Sequence, residues 1–108
     1  MEHPIPIHPC DYAVYSPTKM GKSTIFRSEH VMVGVNAFEP GQEHTLHTHQ
    51  GMDKVYQVVE GEGLFLLDGK EIPIKAGILV IIPKGVPHGI RNTGGKRLLL
   101  LAILAPAP

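Results

Sequence analysis

A chain of 108 residues has room for one core, because two would each be left with too little buried surface. Ten basic residues balance ten acidic ones, so no cationic surface competes for phosphate backbones and nucleic acid is not an expected partner. The longest apolar run, Leu98 to Ala105, falls far short of the roughly 20 residues that a helical membrane span needs, so a soluble protein is expected.

Gly 12 and Pro 10 punctuate a chain that is 43% hydrophobic. Both residues break helices, and with apolar runs between them they predict turns joining short strands. The one cysteine, Cys10, has no partner for an internal disulfide, and the opening MEHPIPIHPC lacks the charged and apolar regions of a signal peptide. A reducing, cytoplasmic setting is the expectation.

In chain order, residues 1–22 read as an irregular arm, since Pro4, Pro6, Pro9 and Pro17 exclude a helix and any central strand. His3 and His8 fall here and read as exposed loop histidines. Lys19 and Lys22, in SPTKMGKS, lack the GxxxxGK[ST] spacing of a phosphate loop and read as a solvated turn. The barrel-forming domain is expected over residues 23–108. Its predicted strands are Thr24–Arg27, Val31–Phe38, Glu43–His49 and Val55–Glu60, followed by LFLL after the Gly61 and Gly63 turn.

Asp68-Gly69 is a two-residue hairpin signal that returns the chain as KEIPIK, where Pro73 marks an edge strand or a bulge. ILVII, HGIRN and RLLLLAILA complete eight or nine short strands with turn signals at hairpin spacing, the mark of an all-β sandwich or barrel. The last strand is apolar on both faces. Its outer face therefore needs a cover: the arm, the opposing sheet or, most economically, the partner subunit of a homodimer.

The chemistry gathers in PGQEHTLHTHQGMDKVYQVVEG, Pro40 to Gly61. His47 and His49 are spaced i, i+2, which in an extended strand sets both imidazoles on one face. Two neutral rings on one face are two arms of a metal chelate, and His88, in GILVIIPKGVPHGIRN, offers a third. His44 has the opposite parity to His47 and is expected to face away from the cavity. His30 sits at a turn. Tyr56 shares parity with Lys54 and reads as core. Cys10 has no evident activating base, and no Ser-His-Asp or Cys-His set is visible from the spacings.

These two stretches together resemble the cupin family of antiparallel jelly-roll barrels. The family's first motif, G(X)5HXH(X)3–4E(X)6G, is matched by Gly41, His47, His49 and Gly61, with Lys54 in the glutamate position. The second, G(X)5PXG(X)2H(X)3N, is matched throughout by Gly77, Pro83, Gly85, His88 and Asn92. The resemblance implies an all-β jelly roll whose inward histidines hold one divalent transition metal, and the donor set does not separate iron, manganese, nickel, copper and zinc. Gly61, Gly77 and Gly85 are expected at tight turns or positive φ, and Asn92 in a structural role at a strand end.

Lys54 departs from the pattern. An ammonium cannot ligate, and about 5 Å from a dication at an effective dielectric near 20 it is repelled by roughly 6–7 kcal/mol. Deprotonating it at neutral pH costs about 4–5 kcal/mol from its reference pKa. Three arrangements resolve the conflict: an anion such as a substrate carboxylate lies between Lys54 and the metal; a bulge turns Asp53 inward as a ligand and Lys54 out; or no metal binds. Metal candidates are thus His47, His49, His88 and Asp53, with Lys54 as the candidate catalytic residue, pairing with substrate charge or moving a proton.

A site of three histidines resembles the tri-histidine centres of some cupin dioxygenases. The expected function is metal-dependent chemistry, of dioxygenase type or as a lyase or isomerase, on a small oxygen-rich or anionic molecule. The rival reading is a non-catalytic small-molecule binding or sensing module, with or without metal.

Overall fold

The computed structural model describes residues 3–108. Nine strands form: β1 (Gly21–Arg27), β2 (Met32–Phe38), β3 (Glu43–His47), β4 (Asp53–Glu60), β5 (Glu62–Leu67), β6 (Lys70–Lys75), β7 (Leu79–Ile82), β8 (His88–Arg91) and β9 (Leu98–Ala105). Every pairing is antiparallel. One sheet has the order β1-β2-β9-β4-β7 and the other β3-β8-β5-β6, so the two motif histidine segments meet as neighbours in the second sheet. This is the all-β jelly roll that the resemblance implies, built from the short strands and turns that the turn spacing predicts. No helix among the described residues is long and apolar enough to cross a membrane.

Alternation builds the interior. Phe38, Tyr56, Val58, Leu98 and Leu100 of the larger sheet meet Phe65, Ile74 and Ile90 of the smaller in one buried cluster. Gly61, Gly77 and Gly85 all take positive φ, as the motif spacing implies. Pro73 lies in β6, which is an edge strand.

The arm is irregular apart from one 3-10 turn, Pro9–Tyr12, and β1 begins at Gly21, two residues before the expected start of the barrel domain at Ser23. Its role is to cover β9. Leu99, Val35 and Ala37 face outward from the larger sheet yet are at most 1% exposed, because Tyr12, Ala13 and Tyr15 pack over them. Two polar ties hold the arm down. The Gln42 side-chain amide donates to the Ser16 carbonyl at 2.7 Å, and the Arg97 guanidinium lies 4.1 Å over the Tyr15 ring while pairing with Glu39.

Asn92 is structural, as expected. Buried at the end of β8, its amide donates to the carbonyls of Phe38 and Lys96 and its Oδ1 accepts from the Gly94 N–H. All of its local polar capacity is used within the fold, which secures the connection between the sheets.

Candidate functional site

Strand pairing, more than sequence proximity, assembles the cavity. His47 and His88 are direct partners across β3 and β8, and the His49 carbonyl accepts the Gly85 N–H at 3.1 Å, tying the second half of the His-x-His segment to the loop before β8. His49 lies just beyond the end of β3, yet its ring stays with the others. Ring centroids of His47 are 4.9 Å from His49 and 4.3 Å from His88, and the donor atoms of all three lie within 4.8 Å of one another. The predicted triad is brought together.

The tautomers are set by the backbone. His47 Nδ1 donates to the Thr45 carbonyl at 2.8 Å and His88 Nδ1 to the Val86 carbonyl at 2.9 Å. Each ring therefore turns a bare Nε2 lone pair inward, and both Nε2 atoms are buried without a hydrogen-bond partner. Buried polar atoms are rarely left so, and a lone pair facing two other imidazoles fits a divalent metal. Burial holds His88 and His49 neutral, down to about 4, the Lys54 charge adding to the effect at His49. Neutral rings are the ligating form.

Lys54 points inward from β4, 4% exposed, with Nζ 3.4 Å from His49 Nε2 and 4.4 Å from the centre of the Tyr56 ring. Burial, reinforced by the charge of Lys22, lowers its pKa to about 8, so the ammonium remains its main form at neutral pH. The ammonium competes with a cation for the His49 lone pair. Asp53 is not brought to the rings: one position earlier on β4 it faces out, and its Oδ1 accepts the Lys84 N–H at 3.0 Å. Of the three arrangements, the one with Asp53 in and Lys54 out is not the one observed. Tyr56 is core, fully buried, with its hydroxyl unpaired above the cluster.

Two residues stand elsewhere than the sequence predicts. His44 was expected to face away; instead it stacks on His47 with ring centroids 3.9 Å apart. The cause is a β-bulge. His44 pairs with Ile90 and His47 with His88, so three steps on β3 answer two on β8 and both histidines face the interior. Gly89 makes the bulge possible, since a Cβ there would come 2.5 Å from the His44 carbonyl oxygen. Burial, then the neighbouring His47, pushes the His44 pKa down to about 3.

The sequence predicts a solvated turn at Lys22; its side chain is exposed, but the residue lies in a strand. It sits in β1, paired with Asn36, and lines the cavity with His49 and Lys54. Nothing local in SPTKMGKS signals this; the register of β1 on β2 decides it.

A double-stranded β-barrel with an inward cluster of three histidines defines the class. The cupin-domain family model matches residues 34–104, and the chain belongs to the cupin family. It is 42% identical over 65 residues to an oxalate-binding protein of Thermotoga maritima, an alignment that covers 60% of this chain and 54% of that one. The chain spans about half the length of the first curated relatives it matches.

Among solved structures, TT1209 of Thermus thermophilus superposes with a TM-score of 0.88 at 37% identity, covering 94% of this chain and 97% of that one. A Klebsiella pneumoniae protein with a double-stranded β-helix domain superposes at 0.90 and 25% identity, covering 96% and 91%.

Proposed function

We propose that this protein is a metal-dependent cupin acting on a small oxygen-rich or anionic molecule, with His47, His49 and His88 as the metal ligands. The observation that carries this reading is the pair of buried, unpartnered Nε2 atoms of His47 and His88 facing the third imidazole. A divalent metal held there would supply Lewis-acid stabilisation of charge on substrate oxygens, or redox chemistry where the metal permits it. Lys54 draws the anionic end of the substrate to the cavity, which also relieves its competition for the His49 lone pair. The apolar walls below, Phe65 and Ile90, limit water around the reacting atoms. Within this reading, oxidoreductase chemistry of dioxygenase type is the first choice, ahead of a lyase or isomerase.

The test is elemental analysis of the purified protein beside a His47→Ala, His88→Ala double variant. Metal in the first and background in the second is the expected result, and equal content removes the site. Oxygen uptake is then measured with diketones, phenols and small acids. A second reading, a non-catalytic binding module, is favoured by the name of the Thermotoga maritima relative. It prevails if a ligand raises the melting temperature without turnover.

We also propose a cytoplasmic homodimer. The arm covers only part of the larger sheet's outer face, leaving the cross-strand row Val33, Ile103, Val55 and Ile81, with Ile81 70% exposed. A second copy packed face to face would bury this row. Sedimentation of the wild type against Ile81→Lys checks it: a dimer converted to a monomer is the expected outcome.

A further inference from the structure

The imidazoles of the cavity are not equally supported. His88 is 1% exposed, with its Nδ1 on the Val86 carbonyl, the Phe65 ring facing it at a centroid distance of 6.4 Å and the Tyr56 ring meeting it at 73°. His47 closes strand β3, is only half-buried, and has one hydrogen bond, from Nδ1 to the Thr45 carbonyl. That bond sets the tautomer, but by itself it does not stop rotation about a broad side-chain torsion. His49 and His88 meet the His47 ring at 90° and 57°. The ring that lies flat against it is His44, 3.9 Å away and inclined by 16°.

His44 is not a fixed position of either motif, and its nitrogens lie outside the set of donor atoms within 4.8 Å of one another, which comprises His47, His49 and His88. A regular strand would turn it away. The bulge between His44 and His47 brings it in beside His47, and Gly89 on β8 leaves room for the backbone that does so. We propose that His44 is a positioning residue whose ring is the wall that holds the His47 imidazole with Nε2 turned into the cavity, as the core holds His88. Contact between ring faces is all that this requires, so another flat aromatic ring serves and the His44 nitrogens are not needed. The inference rests on the reading of the three histidines as a metal site and adds a residue that acts through one of them.

The experiment compares the full-length wild type with His44→Ala and His44→Phe in two ways. The first is Co(II) affinity, measured in competition with a chelator. His44→Ala is expected to weaken it by about 10- to 100-fold, the range for groups that orient a metal ligand, and His44→Phe to stay within about threefold of the wild type. The second needs no metal. Long-range proton–nitrogen NMR of the imidazoles is expected to show His47 protonated at Nδ1 alone in the wild type and in His44→Phe, and a mixture of tautomers in His44→Ala. His88 keeps its Nδ1 proton in all three, which confines the effect to the ring that His44 touches.

Three results overturn the proposal: His44→Ala with the Co(II) affinity of the wild type, His44→Ala with a single His47 tautomer, or His44→Phe as impaired as His44→Ala. The last would make a His44 nitrogen, and not the ring face, the requirement. Circular dichroism separates a lost site from a lost fold, and His44→Phe decides alone if His44→Ala does not fold. Failure of the metal reading shows itself differently: the wild type then takes up no Co(II), while the tautomer of His47 still reports whether His44 holds it.

Discussion

The two ends of the barrel interior are built from the same alternating strands and follow opposite rules. At one end Phe38, Val58, Leu98 and Leu100 close on Phe65 and Ile74 with no polar atom among their side chains. At the other, the same faces of β2, β4 and β8 carry Asn36, Lys54 and His88, all buried, with His44 and His47 opposite. The first end is organised for stability. The second leaves His44 Nδ1, His47 Nε2, His88 Nε2 and the Tyr56 hydroxyl without partners, each a cost to folding that apolar packing offsets. These unpartnered groups all gather at the polar end, where the candidate site lies.

The sharpest way to break this contrast is to damage the apolar end alone. Phe38→Ala is expected to cost about 3–5 kcal/mol by cavity formation, seen as a lower urea midpoint, while any metal bound by the folded fraction keeps its stoichiometry.

Acid attacks the polar end instead. Because folding holds His88 and His49 down to about 4, the unfolded chain binds more protons between that value and the ordinary histidine pKa near 6.5. Their contribution is therefore complete above about pH 6.5 and is lost as pH falls toward 4, amounting to about 3 kcal/mol for the buried His88. Thermal unfolding of the metal-free protein across this window should show the slope, and His88→Phe should flatten part of it.

Gly89→Ala tests the bulge that separates the two regimes. The added Cβ meets backbone at 2.5 Å, so β3 must shift, at about 1–3 kcal/mol. Loss of metal binding larger than the loss of stability explains would show that the bulge aims His44 and His47.

The smallest effect carries the opposite sign. Lys54→Met removes a buried ammonium whose pKa the fold lowers to about 8, and it is expected to stabilise the metal-free protein by about 1–2 kcal/mol at pH 7. The sign follows from the lowered pKa: between pH 8 and the ordinary lysine value the unfolded chain binds more protons, so wild-type stability rises with pH there and the gap to Lys54→Met closes.

The strand content, the turns and the three-histidine set were legible along the chain. Each rests on local chemistry: Gly61, Gly77 and Gly85 at positive φ, Pro73 on an edge, Asp68-Gly69 at a hairpin, and His47, His49 and His88 at motif spacing. The orientation of His44, the place of Lys22 in β1 and the cover over β9 come from register and packing instead. A bulge opposite Ile90 reverses the parity argument for His44, and the pairing of Lys22 with Asn36 puts it in strand β1 at the exposed edge of the cavity and not in a turn. Tyr12 and Tyr15 settle over Leu99 because the arm folds back across the sheet. Period and propensity act within a few residues along the chain, whereas register and cover depend on which distant strand lies alongside, and no local pattern carries that information.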